Sequence, residues 1–230
     1  MNKTTTRWAG ALVLAESLLI FVPMVVLGAA IGWPASLDEP AAALLPKLVA
    51  HAGAVQAGYT VYFVYSLIFL PVVLVLLRWA GVAPGSAAGV TAIALATTSV
   101  AFRCIGILRW LTVMPALAIA HAAAAPAERG VIEQVYFAVN TYGGAMGELL
   151  GVSLFAAAAL AVALGAACRR GDFPRWLALF GFVAVASLLA AWLGVFGLEI
   201  PGLIVAATSV YHFFLMALGL RMIFGRMPTA

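Results

Sequence analysis

Six apolar stretches, 8–33, 56–77, 87–110, 135–168, 176–196 and 201–224, take up most of this chain. A helix needs about 20 mostly apolar residues to cross a hydrocarbon core ~30 Å thick. In lipid, every backbone N–H and C=O must be bonded inside the segment, so helices are the natural solution for runs of this length. The pattern predicts an all-α polytopic protein, a bundle of about six transmembrane helices in a single membrane domain covering 1–230. Composition agrees with this. The chain is 66% hydrophobic and 9% charged, against about 25% charged in soluble domains. The opening run, 8–33, is far longer than the ~7–15 residue apolar region of a signal peptide. It also carries Glu16 and Pro23, so it is expected to persist as the first helix.

Two shorter apolar pieces remain. Segment 41–55 contains Pro46 and Lys47, and 111–125 is interrupted by Pro115. Both are expected on the outer side as interfacial or re-entrant pieces. Tryptophans 8, 33, 79, 110 and 176 fall near the ends of the long runs, as an interfacial aromatic belt predicts.

The basic residues set the orientation. With the N-terminus inside, the inner side holds Lys3, Arg7, Arg78, Arg169, Arg170, Arg175, Arg221 and Arg226, and the outer side holds Lys47 and Arg129. Cytoplasmic loops are the ones enriched in Lys and Arg, so the expected topology is N-in/C-in. The net charge of +4 is used in this way, and no nucleic-acid partner is expected. The Ala-rich composition suggests a bacterial source, which would make this a multi-pass protein of the inner (cytoplasmic) membrane. A reporter fused at Ala230 should read as cytoplasmic, and one in the 38–47 loop as external. An external signal from the C-terminal fusion would refute the six-span arrangement.

Charge inside a bilayer costs roughly 2.5–3.5 kcal/mol per residue on insertion scales, so each instance marks a site or a partner. Four residues qualify: Glu16, Arg103, Glu148 and His212, with Arg109 near the outer interface. At ~1.5 Å rise per residue, Glu16 lies roughly 13 Å from the inner face. His212, nine residues before Arg221, lies at a matching depth. Arg103 and Glu148 lie roughly 24 and 30 Å up their helices. These depths predict two pairs, Arg103 with Glu148 and Glu16 with His212. Ser99 shares a face with Arg103 and Thr208 with His212, each at i,i+4. Asn140, Gly144 and Glu148 form one stripe, and Gly143, Gly147 and Gly151 repeat as small-xxx-small, a pattern that lets helices approach closely. Residues Gln56, Tyr59, Tyr62, Phe63 and Ser66 form a polar-aromatic stripe on the second helix. The fifth run, with Ser187 as its ordinary polar residue, is expected to face lipid. A buried Arg–Glu pair also serves as plain helix–helix glue, so these positions are candidates for ligand binding rather than proof of it.

Cofactor and metal patterns are weak. His51 and His121 map near the outer face and His212 near the midplane, so no two are matched for haem. Cys104 and Cys168 are expected at different depths, which argues against a disulfide. No HxxxH, CxxC, Walker A, Rossmann or Ser-His-Asp pattern occurs, and no cofactor or metal is expected.

Arg7-Trp8-Ala9-Gly10 opens the first helix, Arg103 lies within the third, and Glu148-Leu149-Leu150-Gly151 lies in the fourth. With these pieces the layout resembles a family of uncharacterised bacterial six-helix membrane proteins, known only as a domain of unknown function. The resemblance covers most of the chain. It implies location and fold, and carries no activity across.

The leading functional expectation is a small transporter or ligand-binding membrane protein with a polar intramembrane site around Arg103 and Glu148. Arg103 would hold an anionic group, or Glu148 would carry a proton. The candidate ligand-facing residues are Arg103, Glu148, Asn140, Ser99, Glu16 and His212. The expected partners are the lipid bilayer, a small molecule or ion, and another membrane protein or a second copy of the chain. Two alternatives stay open: a non-catalytic assembly or regulatory partner, and a membrane-embedded enzyme or haem protein. Whether the chain is an enzyme is not decided, and no catalytic residue is named.

Overall fold

The computed structural model describes residues 2–171, 173–198 and 200–225, and among them every regular element is helical. Arg226, counted above on the inner side, and the fusion site Ala230 lie outside the described residues. Six helical spans are long and apolar enough to cross a membrane: Lys3–Ile31, Ala52–Trp79, Ala87–Ala123, Pro126–Arg169, Arg175–Phe196 and Leu203–Phe224. The protein is a multi-pass membrane protein.

The first span is two helices, α1 (Lys3–Leu19) and α2 (Phe21–Ile31), where the apolar run predicts one. Pro23 has no N–H for the Leu19 carbonyl, and its ring crowds that carbonyl, so the ladder breaks between them. Bonding resumes with Met24 N donating to Ile20 O at 3.2 Å. A 3-10 turn, Ala35–Asp38, follows, and then α3 (Ala41–Ala50) and α4 (Ala52–Trp79). Segment 41–55 is therefore divided: its last residues start the second span.

Helix α5 (Ala87–Leu111) is capped by Ser86, whose Oγ accepts from Gly89 N at 3.1 Å, satisfying one of the helix's orphan donors. Segment 111–125 is also helical: α6 (Val113–Ala123) follows α5 after a break at Thr112. Pro115 removes the bond to the Leu111 carbonyl, which accounts for the break. Helix α7 (Pro126–Gly144) starts at Pro126, not at 135. Proline suits the first helical position, and Glu128 Oε2 accepts from Ala125 N at 3.2 Å. Glu128, Arg129 and Glu133 hide this start from an apolarity count. The third and fourth spans have 37 and 44 residues, or ~55 and ~66 Å of helix, well beyond the hydrocarbon thickness. After α7 comes a π-helical stretch, Ala145–Ala156, then α8 (Ala157–Arg169), α9 (Arg175–Trp192) and α10 (Leu203–Phe224).

The chain forms two compact units, interleaved in sequence. The first comprises Met1–Leu18, Leu67–Phe102 and Glu148–Ala230; the second comprises Leu19–Ser66 and Arg103–Gly147. In the first, Phe69, Leu76, Leu160, Leu164, Phe214 and Leu218 form a core. Gly10 and Gly219 meet there backbone to backbone: a Cβ on Gly10 would fall 2.8 Å from the Gly219 carbonyl. Between membrane helices no hydrophobic gain is available, and this close packing is the main source of adhesion. Helix α9 buries Leu177, Gly181, Ala184 and Leu188 and leaves Leu179, Phe182 and Val183 exposed. Its span is the least buried of the six, in keeping with a lipid-facing helix.

The second unit packs Leu27, Leu44, Leu45, Tyr59, Trp110, Met114 and Tyr136. Trp8 and Trp176 are exposed, but Trp79 and Trp110 are buried, which corrects their place in an aromatic belt. Trp110 stacks on Tyr59 with ring centres 5.0 Å apart. Trp79 meets Phe173 edge-on at 5.6 Å. Amphipathic aromatics at helix ends serve protein packing as readily as the lipid interface.

Candidate functional site

Polar side chains are buried in both units. In the first, Glu16 is fully buried and accepts a hydrogen bond from the Tyr211 hydroxyl at 3.0 Å. The Tyr211 ring is edge-on to Phe69 at 6.3 Å and to His212 at 5.0 Å. His212 Nδ1 bonds to the Thr208 carbonyl. A carbonyl only accepts, so this nitrogen carries the proton. Tyr211, next to the expected His212 in sequence, thus bonds to Glu16.

Ser99 is also in the first unit. It is fully buried and donates to the Gly151 carbonyl at 2.7 Å. That carbonyl belongs to the π-helical stretch, which also carries the half-buried Glu148. In π geometry the ladder runs i→i+5. The stretch thus begins within the stripe predicted through Asn140, Gly144 and Glu148, between its second and third residues. Ser153 is fully buried, and its hydroxyl has no hydrogen-bond partner among the described residues. Single π turns within α-helices occur frequently at functional sites; here the stretch is 12 residues long.

The second unit has the denser polar interior. Arg103 is 3% exposed, with its guanidinium over the Tyr65 ring, 4.9 Å from the centroid. Burial strengthens such a contact, to about 2 kcal/mol or more when desolvated. Arg109 is 7% exposed. Its Nη1 donates to the Gly106 carbonyl at 3.0 Å, and its guanidinium lies 5.4 Å from the Trp110 ring centre. The Arg109 side chain runs across Gly143 so closely that no Cβ fits there. Gly106 and Gly147 touch through their backbones, with a Cβ on Gly106 reaching 2.6 Å from Gly147 Cα. Two of the glycines spaced at four therefore have distinct tasks in this unit: Gly147 admits helix α5, and Gly143 admits an arginine.

Asn140 Nδ2 donates to the Leu37 carbonyl at 2.9 Å, pinning the 3-10 turn against α7. Because that carbonyl can only accept, the amide orientation is fixed and Oδ1 points elsewhere. Asn140 Oδ1, the Tyr136 hydroxyl and the Ser36 hydroxyl are buried without a hydrogen-bond partner among the described residues. Tyr136 also lies within electrostatic reach of Arg109, Glu39 and Asp38. Buried polar atoms are nearly always bonded, so these three are the exceptions in the unit that also buries Arg103 and Arg109.

Of the six candidates named from sequence, Arg103 and Asn140 fall in the second unit, and Ser99, Glu16, Glu148 and His212 in the first. Arg109, Tyr136, Ser36 and Tyr65 were not singled out as ligand-facing. Tyr136, Asn140 and Gly143 stand at i, i+4 and i+7, a stripe that becomes visible once the helix is started at 126. Among the described residues, no three His, Cys, Asp or Glu side chains group as metal ligands.

A family described as a domain of unknown function, DUF4386, matches residues 8–225. No curated protein and no solved structure matches the chain.

Proposed function

We propose, for a chain that belongs to the DUF4386 family of unknown function, that it is a ligand-binding membrane protein of the small-transporter type. In this reading Arg103 holds the anionic group of a small ligand; in the alternative form of it, Glu148 carries a proton. The membrane is the bacterial inner membrane, with both termini inside. The observation that carries the reading is the burial of Arg103 to 3% exposure in an apolar span. A guanidinium stays protonated and presents five N–H donors, and an intramembrane ionisable group is by default a functional candidate. The buried hydroxyls of Ser36 and Tyr136 in the same unit supply further donors of the kind an anion needs. Asn140, in the unit of Arg103, is proposed to support the ligand, and Ser99, Glu16 and His212, in the unit of Glu148, the proton.

The protein in lipid nanodiscs should be titrated with acetate, succinate and phosphate, following its thermal unfolding. A ligand at 100 times its Kd stabilises the folded state by about 2.7 kcal/mol. At least one anion should raise the midpoint, Arg103→Lys should keep part of the shift, and Arg103→Gln should abolish it. Equal shifts in wild type and Arg103→Gln would remove Arg103 from the site. No shift with any anion would sink the anion-binding reading.

A further inference from the structure

Apart from the buried arginines, the second unit has an open cleft of about 440 Å³, a volume typical of small-molecule sites. One wall comes from α3 and is wholly apolar, with Pro46 and Val49. The other comes from α6 and α7, where Ala118 continues the apolar lining and His121, Arg129 and Glu133 supply polar groups. The cleft is thus two-faced: hydrocarbon on one side, a charged cluster on the other.

The cluster is already partly committed. His121 Nε2 and Glu133 Oε1 are bonded at 3.0 Å, so the Glu133 charge is occupied from within. Arg129 Nε donates to the Ala124 carbonyl at 3.3 Å, which ties the guanidinium to the α6–α7 turn. That bond uses one of its five N–H groups and leaves the two terminal nitrogens, the pair that grips a carboxylate or phosphate bidentately. Arg129 and Glu133 are four apart on α7, yet the glutamate pairs with His121 and not with Arg129.

We propose that this cleft binds an amphipathic monoanion, with the apolar chain against Pro46, Val49 and Ala118 and the anionic head on Arg129. The shared chemistry is an anionic head on an aliphatic chain, supplied by a soluble medium-chain carboxylate or by an anionic lipid. The site is independent of Arg103 and does not rest on the function proposed above.

Octanoate is the probe, measured by equilibrium dialysis against the full chain in phosphatidylcholine nanodiscs, with empty discs subtracted. Saturable binding of one octanoate per chain is expected, with octanol at least ten-fold weaker. Arg129→Gln should weaken octanoate at least ten-fold and leave octanol unchanged. Ala122→Trp, placed on the cleft lining, should weaken both. Adding phosphatidylglycerol to the discs separates the sources: undiminished octanoate binding identifies a soluble acid, and competition identifies the lipid headgroup. No binding above empty discs, or equal binding by Arg129→Gln, overturns the proposal. Retention of the octanoate preference in Arg103→Gln keeps this test distinct from the buried arginine site.

Discussion

Gly106→Val is expected to cost the folded protein about 3 kcal/mol or more, the upper end of the usual overpacking range. A Cβ at position 106 would meet Gly147 Cα at 2.6 Å and both the Gly143 carbonyl and Gly147 N at 2.9 Å. All three are backbone atoms, so no side chain can rotate away and the two helices must separate. Separation also disturbs Arg109, which bonds to the Gly106 carbonyl and crosses Gly143. The intrinsic helix gain on leaving glycine, about 1 kcal/mol at most, does not offset this. Gly130→Ala is the matched control. Gly130 lies in α7 with open space around its would-be Cβ, so a helix-propensity gain meets no clash there. Denaturant unfolding in detergent should show Gly106→Val destabilised and Gly130→Ala unchanged or slightly more stable. A Gly106→Val protein as stable as wild type would mean that the two backbones are not in contact.

Tyr211→Phe should cost about 1.5–3 kcal/mol if Glu16 is ionised, and about 1 kcal/mol if it is neutral. The Tyr211 hydroxyl donates to Glu16 at 3.0 Å, and Glu16 has no exposure to solvent that could replace the bond. Glu16→Gln keeps an acceptor oxygen in the same place and should lose less than Glu16→Leu, which leaves the tyrosine hydroxyl without its acceptor. In a double-mutant cycle, Tyr211→Phe and Glu16→Leu should be strongly non-additive, as contacting residues are. Additive losses would show that the bond contributes nothing to stability.

The spans were legible because their cause is local. Six apolar runs can do little in water, and length against bilayer thickness fixes their number. Boundaries were legible only where a local breaker sits alone. Pro23 could be seen in the sequence, yet whether it kinks or divides a helix depends on which neighbours support the freed carbonyl. The start of α7 was hidden because Glu128, Arg129 and Glu133 read as loop, whereas a helix that leaves the hydrocarbon can carry charge freely. The π-helical stretch 145–156 has no compositional signature, and its change of ladder was not legible in the sequence. The burial of Arg109 was not legible because only its depth along one helix could be counted. Its burial is set by Gly143 on another segment, a non-local fact. Trp79 and Trp110 show the same limit: position along a span says where a ring lies, not whether it meets lipid or protein. By contrast, the burial of Arg103 and Glu16 was legible from their cost alone, since a charged group in an apolar run must be accommodated somewhere, and Ser99 followed from its place one turn before Arg103.

On the function proposed above, a small anion binds at the buried Arg103. An experimental structure of the nanodisc-embedded protein, determined with and without bromoacetate, tests it most directly. A bromine-associated density peak is expected within a few ångströms of the Arg103 guanidinium and should be lost in Arg103→Gln. Protein atoms filling every position around that guanidinium, with no bromoacetate density near it at saturating concentration, would contradict it.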